Sequence, residues 1–340
     1  MSTTAGKKLS SATLGRTTYD ITRVGLGAWA IGGGDWQGGW GPQDDKESVA
    51  AIHHAIELGV NWIDTAPAYG LGHAEEVVGQ ALRQLPQSER PLVFTKCGLV
   101  WKGGERTVSN VLSPESIRAE CEASLRRLGF EAIDLLQIHW PGEDGTPIEE
   151  SWGTMGALVD EGKVRHIGVS NFGVDLLEKC EAIRHVDTVQ PQVNLLVRAA
   201  LDEILPWAER NGCGVVAYSP MRSGLLTGAF SSERAGSLAE DDWRREDADF
   251  KEPRLSANLC LVEKLRATAD RLGCSLPELA VAWTLACPGV TAAIVGARRP
   301  EQVEGWIGGA TVDLAESDLE EISSALESTG AGEGPQRPVR

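Results

Sequence analysis

The sequence predicts an α/β fold, a single (β/α)8 TIM barrel with long loops after strands 1, 3 and 7. Three observations predict it. Eight short apolar runs recur along the chain, separated by segments of helical periodicity. No break in composition divides them. The 340 residues suit one barrel of ~250 residues with insertions. A doubly wound open sheet that binds a dinucleotide usually shows G-x-G-x-x-G after its first strand. Neither GLGAWAIGGG nor GLGHAEE completes that pattern, and no Walker A motif is present.

The strands are expected at 23–29, 61–66, 92–98, 133–140, 166–171, 188–193, 214–220 and 291–298. Helices are expected at 45–58, 73–84, 113–128, 147–161, 174–184, 201–211 and 256–287, with another near 300–309. Ser113-Pro114-Glu115 sets a cap before a first-turn proline, and Ser275-Leu276-Pro277-Glu278 starts a later helix in a similar way. Residues 1–328 read as one barrel domain. The tail 329–340, rich in glycine and proline, reads as disordered. The loops 30–44, 99–112 and 229–255 all leave the C-terminal ends of strands, the face where barrel enzymes place their sites.

A net charge of −17 argues against nucleic acid as the main partner. Seven scattered cysteines without CxxC spacing suit reduced thiols rather than a disulfide framework or a zinc site. The first residues lack the apolar core of a secretory signal, and no run approaches the ~20 apolar residues of a membrane span. These features predict a cytoplasmic protein with no membrane partner and no obligate protein partner.

Asp64, Tyr69, Lys96 and His139 stand at or just past the ends of three successive predicted strands. Alone, each has an ordinary reading: a turn aspartate, a surface tyrosine, a solvated lysine, a core histidine. Together they supply a phenol, an amine, a carboxylate and an imidazole to one barrel face. Tyr69 is the candidate general acid. An adjacent Lys96 ammonium lowers the phenol's pKa, Asp64 holds that ammonium, and His139 orients a substrate oxygen.

Other strand ends carry groups suited to a cofactor. Ser170, Asn171 and Gln190 match the donor and acceptor needs of a carboxamide. Tyr218 offers a flat stacking face. Ser219, Met221, Arg222, Ser223 and Gly224 follow, with hydroxyls, a cation and a glycine to admit a pyrophosphate. Gly296, Arg298 and Arg299 precede a helix opened by Pro300, a plausible phosphate site; solvated loop arginines are the equally ordinary reading.

The segments VGLGAWAIGG, NWIDTAPAYG, GHAEEVVGQAL, LVFTKCG, SLRRLGFEAIDLLQIHWP, GKVRHIGVSNF, AYSPMRSGLLTG and VGARRPEQVE occur in an order that resembles the aldo-keto reductases. The resemblance runs from about Thr13 to about Ser324. Within the family the chain looks most like the bacterial general-stress-protein-like reductases. The resemblance implies an NADPH-dependent reductase without a metal, using the Asp64, Tyr69, Lys96, His139 tetrad. It implies that Ser170, Asn171 and Gln190 bind the carboxamide and that Tyr218 stacks on the nicotinamide. Ser219, Met221, Ser223 and Gly224 would line the pyrophosphate, and Gly296, Arg298 and Gln302 the 2′-phosphate. The chain departs from the family pattern at Val193, Arg222-Ser223 and Gly305-Trp306.

Trp29, Trp36, Trp40, Trp101 and Trp140 are expected to rim a substrate pocket suited to carbonyl compounds, or their alcohols, with an apolar or ring face. Trp62 and Trp283 are expected to be packing residues. Two rival functions remain at this level: a Schiff-base lyase using Lys96, and an NADPH-sensing binding protein.

Overall fold

The computed structural model describes residues 9–34, 36–39, 41–240 and 242–338. Trp40 lies outside the described residues. Eight parallel strands close into a barrel. They are β1 Val24–Gly27, β2 Trp62–Asp64, β3 Leu92–Cys97, β4 Ile133–Ile138, β5 Val164–Ser170, β6 Thr188–Gln190, β7 Gly214–Tyr218 and β8 Ala292–Gly296. Closure is made by β8 on β1, with Ala293 opposite Val24 and Gly296 opposite Gly27. The predicted fold class is therefore the observed one.

The barrel interior is packed rather than hollow. Trp62, Phe94, Leu135, Val216 and Ile294 fill it, and Leu14 and Ile21 join them. Ile21 lies in a hairpin of Ser11–Thr13 and Asp20–Thr22 that precedes β1 and was not expected from sequence. Gly25 leaves room for the Trp62 indole, whose ring occupies the place a Cβ would take. Trp62 Nε1 donates to Thr22 O across 2.8 Å. Burying one such ring removes roughly 150–250 Å² from water, about 4–6 kcal/mol as an upper figure. This plug makes the N-terminal half of the barrel a stability element and leaves the other end for polar groups.

The surrounding helices are α1 Asp45–Glu57, α2 His73–Arg83, α3 Pro114–Leu128, α4 Ile148–Asp160, α5 Val174–Glu181, α6 Ile204–Asn211, α7 Arg254–Leu272, α8 Leu276–Ala286, α9 Pro300–Ile307 and α10 Glu316–Thr329. Ser113 caps α3 by accepting from Ser116 N–H, as its sequence signal predicts. The span expected as one helix over 256–287 is two. Gly273, at φ 67°, ends α7 in the left-handed region, and a Ser275–Glu278 capping box opens α8. Trp283 is buried in the outer core as expected, and so are Val193 and Trp306.

The tail is the clearest correction. Residues 330–338 are not loose: Ala331 and Pro338 are buried, and Glu333 pairs by backbone with Leu196 and Arg198. Composition alone suggested disorder, but the glycines there allow a close backbone approach that any side chain would block. Among the described residues no helix is long and apolar enough to cross a membrane.

Candidate active site

Three strand ends and one turn build the site. Asp64 is the last residue of β2, Lys96 the penultimate residue of β3, and His139 the residue after β4. Tyr69 sits on the turn leading to α2. That turn is held tightly against the stretch after β1. A Cβ at Gly32 would lie 2.6 Å from Gly70 N, and Gly70 has φ 63°. Only glycine fits such an approach.

The Lys96 ammonium is fully buried and donates to three acceptors. These are Asp64 Oδ1 at 2.5 Å, Thr65 O at 3.0 Å and Tyr69 Oη at 3.2 Å. Its three hydrogens are thereby used. Asp64, 2% exposed, also accepts from Gln190 Nε2 at 2.9 Å on its other oxygen. The same amide reaches Gln137 Oε1 at 3.4 Å, which in turn meets Thr188 Oγ1 at 3.4 Å. His139 stands edge-on to the Tyr69 ring, centroids 5.6 Å apart.

Burial dominates the electrostatics. It pushes the Tyr69 phenol well above its ordinary value, and Asp64 adds to the shift. The lowering by Lys96 expected from sequence is not what prevails here, because burial of the phenol outweighs it and the Asp64 carboxylate adds to the rise. Burial pulls Lys96 down while Asp64 opposes it. Burial, then Lys96, holds His139 well below the usual imidazole range, so it is neutral at pH 7. The site thus presents a protonated phenol and a neutral imidazole side by side.

The carboxamide candidates gather beside the tetrad. Asn171, at φ 62°, donates through Nδ2 to His139 O and Ser170 Oγ, each at 3.0 Å. Its Oδ1 accepts from Tyr218 Oη at 2.8 Å. Ser170 Oγ donates to Gln190 O at 2.9 Å. After β7 the backbone takes left-handed angles at Ser219, Arg222, Ser223 and Gly224. Met221 is half-buried. Arg222, a cation the sequence offered to a pyrophosphate, instead bonds Asp249 Oδ2 at 2.8 Å and Asp247 Oδ2 at 2.7 Å. Beyond β8, Arg298 N donates to Gln302 Oε1 at 2.7 Å, and its Nε donates to Gln43 Oε1 at 2.6 Å. Pro42 O accepts from the same guanidinium. Gly296 is exposed. Trp306 packs inward, so the Gly305-Trp306 departure gives no indole to a ligand.

The rim divides. Trp29 stacks on Tyr69 with rings 6.3 Å apart and planes at 19°, and Trp36 lies 5.9 Å from the same tyrosine. Trp101 is half-buried and Trp140 is 43% exposed beside His139. Sequence reasoning missed Trp243. The 229–255 loop carries it back over the mouth, where it stacks on Trp29 at 5.6 Å and 20°. Its only sequence signal was an indole within an acidic loop.

A family model described as the aldo/keto reductase family matches residues 23–327. The chain belongs to that family. Aldo-keto reductase YhdN of Bacillus subtilis is 38% identical over 314 residues, 92% of each chain. The NADH-specific methylglyoxal reductase of Escherichia coli is 37% identical over 330 residues, covering 92% of this chain and 98% of that one. The glycerol dehydrogenase AKR11B4 from Gluconobacter oxydans superposes with a TM-score of 0.86 at 37% identity, covering 97% and 98% of the two chains. An oxidoreductase of this family, acting on small molecules with a nicotinamide cofactor, is the coarse identity these matches give.

Proposed function

We propose that this aldo-keto reductase interconverts carbonyl compounds and alcohols with NADPH, using Tyr69 as general acid and base. The observation that carries the reading is the Lys96 ammonium bonded at once to Asp64 and Tyr69. The residues beside it suit the cofactor. A hydroxyl, two amides and a phenol face cluster there, and no atom lies within 4 Å of where a Cβ on Gly224 would sit. Ser170, Asn171 and Gln190 would hold the carboxamide, and Tyr218 would face the ring. Ser219, Met221, Ser223 and Gly224 would follow the pyrophosphate. When held there, the nicotinamide would supply the hydride that the carbonyl carbon receives. Neutral His139 orients the carbonyl oxygen by hydrogen bond. Tyr69 gives that oxygen its proton, Lys96 stabilises the phenolate left behind, and solvent restores the proton.

The fully engaged Lys96 amine has no lone pair to offer a carbonyl, which weighs against a Schiff-base lyase. The choice of NADPH is supported by Arg298 and Arg299 beside the N-terminus of α9, with Gln302 and Gly296 adjacent. NADH is a second reading. It is favoured by the Arg298 guanidinium being already held by Gln43 and Pro42, and by the relative named NADH-specific. Two relatives' names, methylglyoxal reductase and glycerol dehydrogenase, favour three-carbon substrates as well as the ring-faced ones suggested by Trp29, Trp101 and Trp140.

The test is a titration of both nucleotides by tryptophan fluorescence, then turnover of methylglyoxal, glyceraldehyde and aromatic aldehydes. Tyr69→Phe is expected to cut turnover on the order of 10²–10⁴-fold while leaving nucleotide affinity within about twofold. Loss of nucleotide binding in that variant overturns the assigned role. Tight binding without turnover across the panel indicates a nucleotide-sensing protein instead.

A further inference from the structure

The C-terminal segment joins the stretch after β7 by two separate routes. In the first, the tail docks on the turn after β6. Arg198 N donates to Glu333 O at 3.0 Å, and Glu333 N donates to Leu196 O at 2.9 Å. The Arg198 side chain, 3% exposed, is wrapped by tail carbonyls: Pro335 O at 2.7 Å, Gly334 O at 3.2 Å and Ala331 O at 3.3 Å. Asn194 shapes the same turn by accepting from Leu196 N and Val197 N, each at 2.9 Å. Its Nδ2 then donates to Ser219 O at 2.9 Å. In the second route, Glu333 pairs with Arg254 and Arg254 lies 3.5 Å from Asp249. Asp249 holds Arg222. Both routes end within Ser219–Arg222, where the backbone is left-handed at Ser219 and Arg222. Left-handed non-glycine residues persist only where their surroundings over-determine them.

We propose that the tail is a positioning element for the Ser219–Gly224 stretch, with Arg198 and Glu333 as the positioning residues. This rests on the reading of that stretch as the pyrophosphate site. The tail touches no reacting group. It fixes the stretch at Ser219 through Asn194 and at Arg222 through Asp249. Gly332 and Gly334, at φ 66° and 96°, allow the tail to lie directly on the 196–199 backbone. A cavity of about 260 Å³ remains between the two routes, lined by Val197, Arg198, Arg222, Asp249, Arg254 and Glu333. The stretch therefore has open space to relax into once either route is cut. Without the tail, the Arg198 guanidinium keeps Leu195 O and loses the carbonyls of Ala331, Gly334 and Pro335, so the turn that carries Asn194 loses its anchor.

The test compares the full chain with a form ending at Gly330 and with Glu333→Gln, which cuts only the second route. NADPH and NADH dissociation constants are read by fluorescence quenching of the protein alone, then kcat and KM at saturating nucleotide. The truncation is expected to weaken nucleotide binding roughly tenfold. Glu333→Gln, removing a partly exposed pair, is expected to weaken it about threefold. In both, kcat at saturation and the carbonyl KM stay within about twofold. If the truncated form does not fold, Glu333→Gln decides. Unchanged dissociation constants with a lowered Tm make the tail a mere stability element and overturn the proposal alone. Full-length protein that binds neither nucleotide overturns the cofactor reading and this inference with it.

Discussion

Gln190 Nε2 donates to Asp64 Oδ2 across 2.9 Å, inside a barrel that leaves both residues 2% exposed. A carboxylate only accepts, so the amide nitrogen must face Asp64 and the amide oxygen is left for another donor. One side chain thus touches the tetrad with one end and is free to meet a carboxamide with the other. Replacing it by Met keeps the volume and leaves a buried charged oxygen with one donor fewer. Gln190→Met is expected to lose about 3 kcal/mol of stability, the upper end for an orphaned buried acceptor. Gln190→Glu is expected to lose more at pH 7, where two carboxylates would face each other. Urea unfolding measures both. A loss under about 0.5 kcal/mol in each would show that the bond contributes nothing net.

The tetrad was legible because residue type and strand-end position coincide in a parallel barrel. Asp64, Lys96 and His139 each terminate an apolar run, and the alternation of strands then decides their face. The Gln190–Asp64 bond was not legible, since it joins β6 to β2 across the barrel interior and leaves no local pattern. Arg222 misled for a related reason. Its neighbours in sequence suggest a phosphate cradle, while its partners Asp247 and Asp249 arrive from a distant loop. The tail misled because glycine and proline signal disorder by composition and close packing by conformation, and only the receiving surface distinguishes the two.

His139 makes stability depend on pH. Its folded value lies well below 6.5, through burial and then the Lys96 charge. Below pH 6.5 the unfolded chain therefore takes up a proton that the native site refuses. Stability is lost as pH falls, by about 1.4 kcal/mol per pH unit for this one group. Above pH 6.5 the contribution is constant. Unfolding free energies between pH 4.5 and 7.5 should be steeper in the native protein than in His139→Gln by one proton. Parallel curves would mean that the imidazole titrates normally.

Arg298 separates the two cofactor readings. A charge-assisted bond to a 2′-phosphate is worth about 1.5–3 kcal/mol, roughly ten- to a hundredfold in affinity. Arg298→Ala is therefore expected to weaken NADPH by that factor and NADH by less than about threefold. The guanidinium also ties Gln43 and Pro42 to the end of β8. Equal losses for both nucleotides would assign it to that tie alone, and the reading would pass to NADH.

Trp243 should decide between ring-faced and small substrates. Its indole lies on Trp29, which lies on Tyr69, so two indole rings are layered over the proton donor. The Trp243 Nε1 is buried without a partner among the described residues, so its stability contribution comes from apolar contact rather than hydrogen bonding. A stacked aromatic pair contributes about 0.5–1.5 kcal/mol beyond its buried area. A substrate ring that extends this stack loses that amount when the indole is removed. A three-carbon carbonyl, too short to reach from Tyr69 to the 229–255 loop, does not. Trp243→Ala is expected to raise KM for benzaldehyde-type substrates roughly three- to tenfold and to leave KM for methylglyoxal within about twofold. Steady-state kinetics on the two substrates at saturating nucleotide provides the comparison. Equal increases would show that Trp243 only supports Trp29, and equal constancy would place the substrate away from the stack, on the Trp140 side of the mouth.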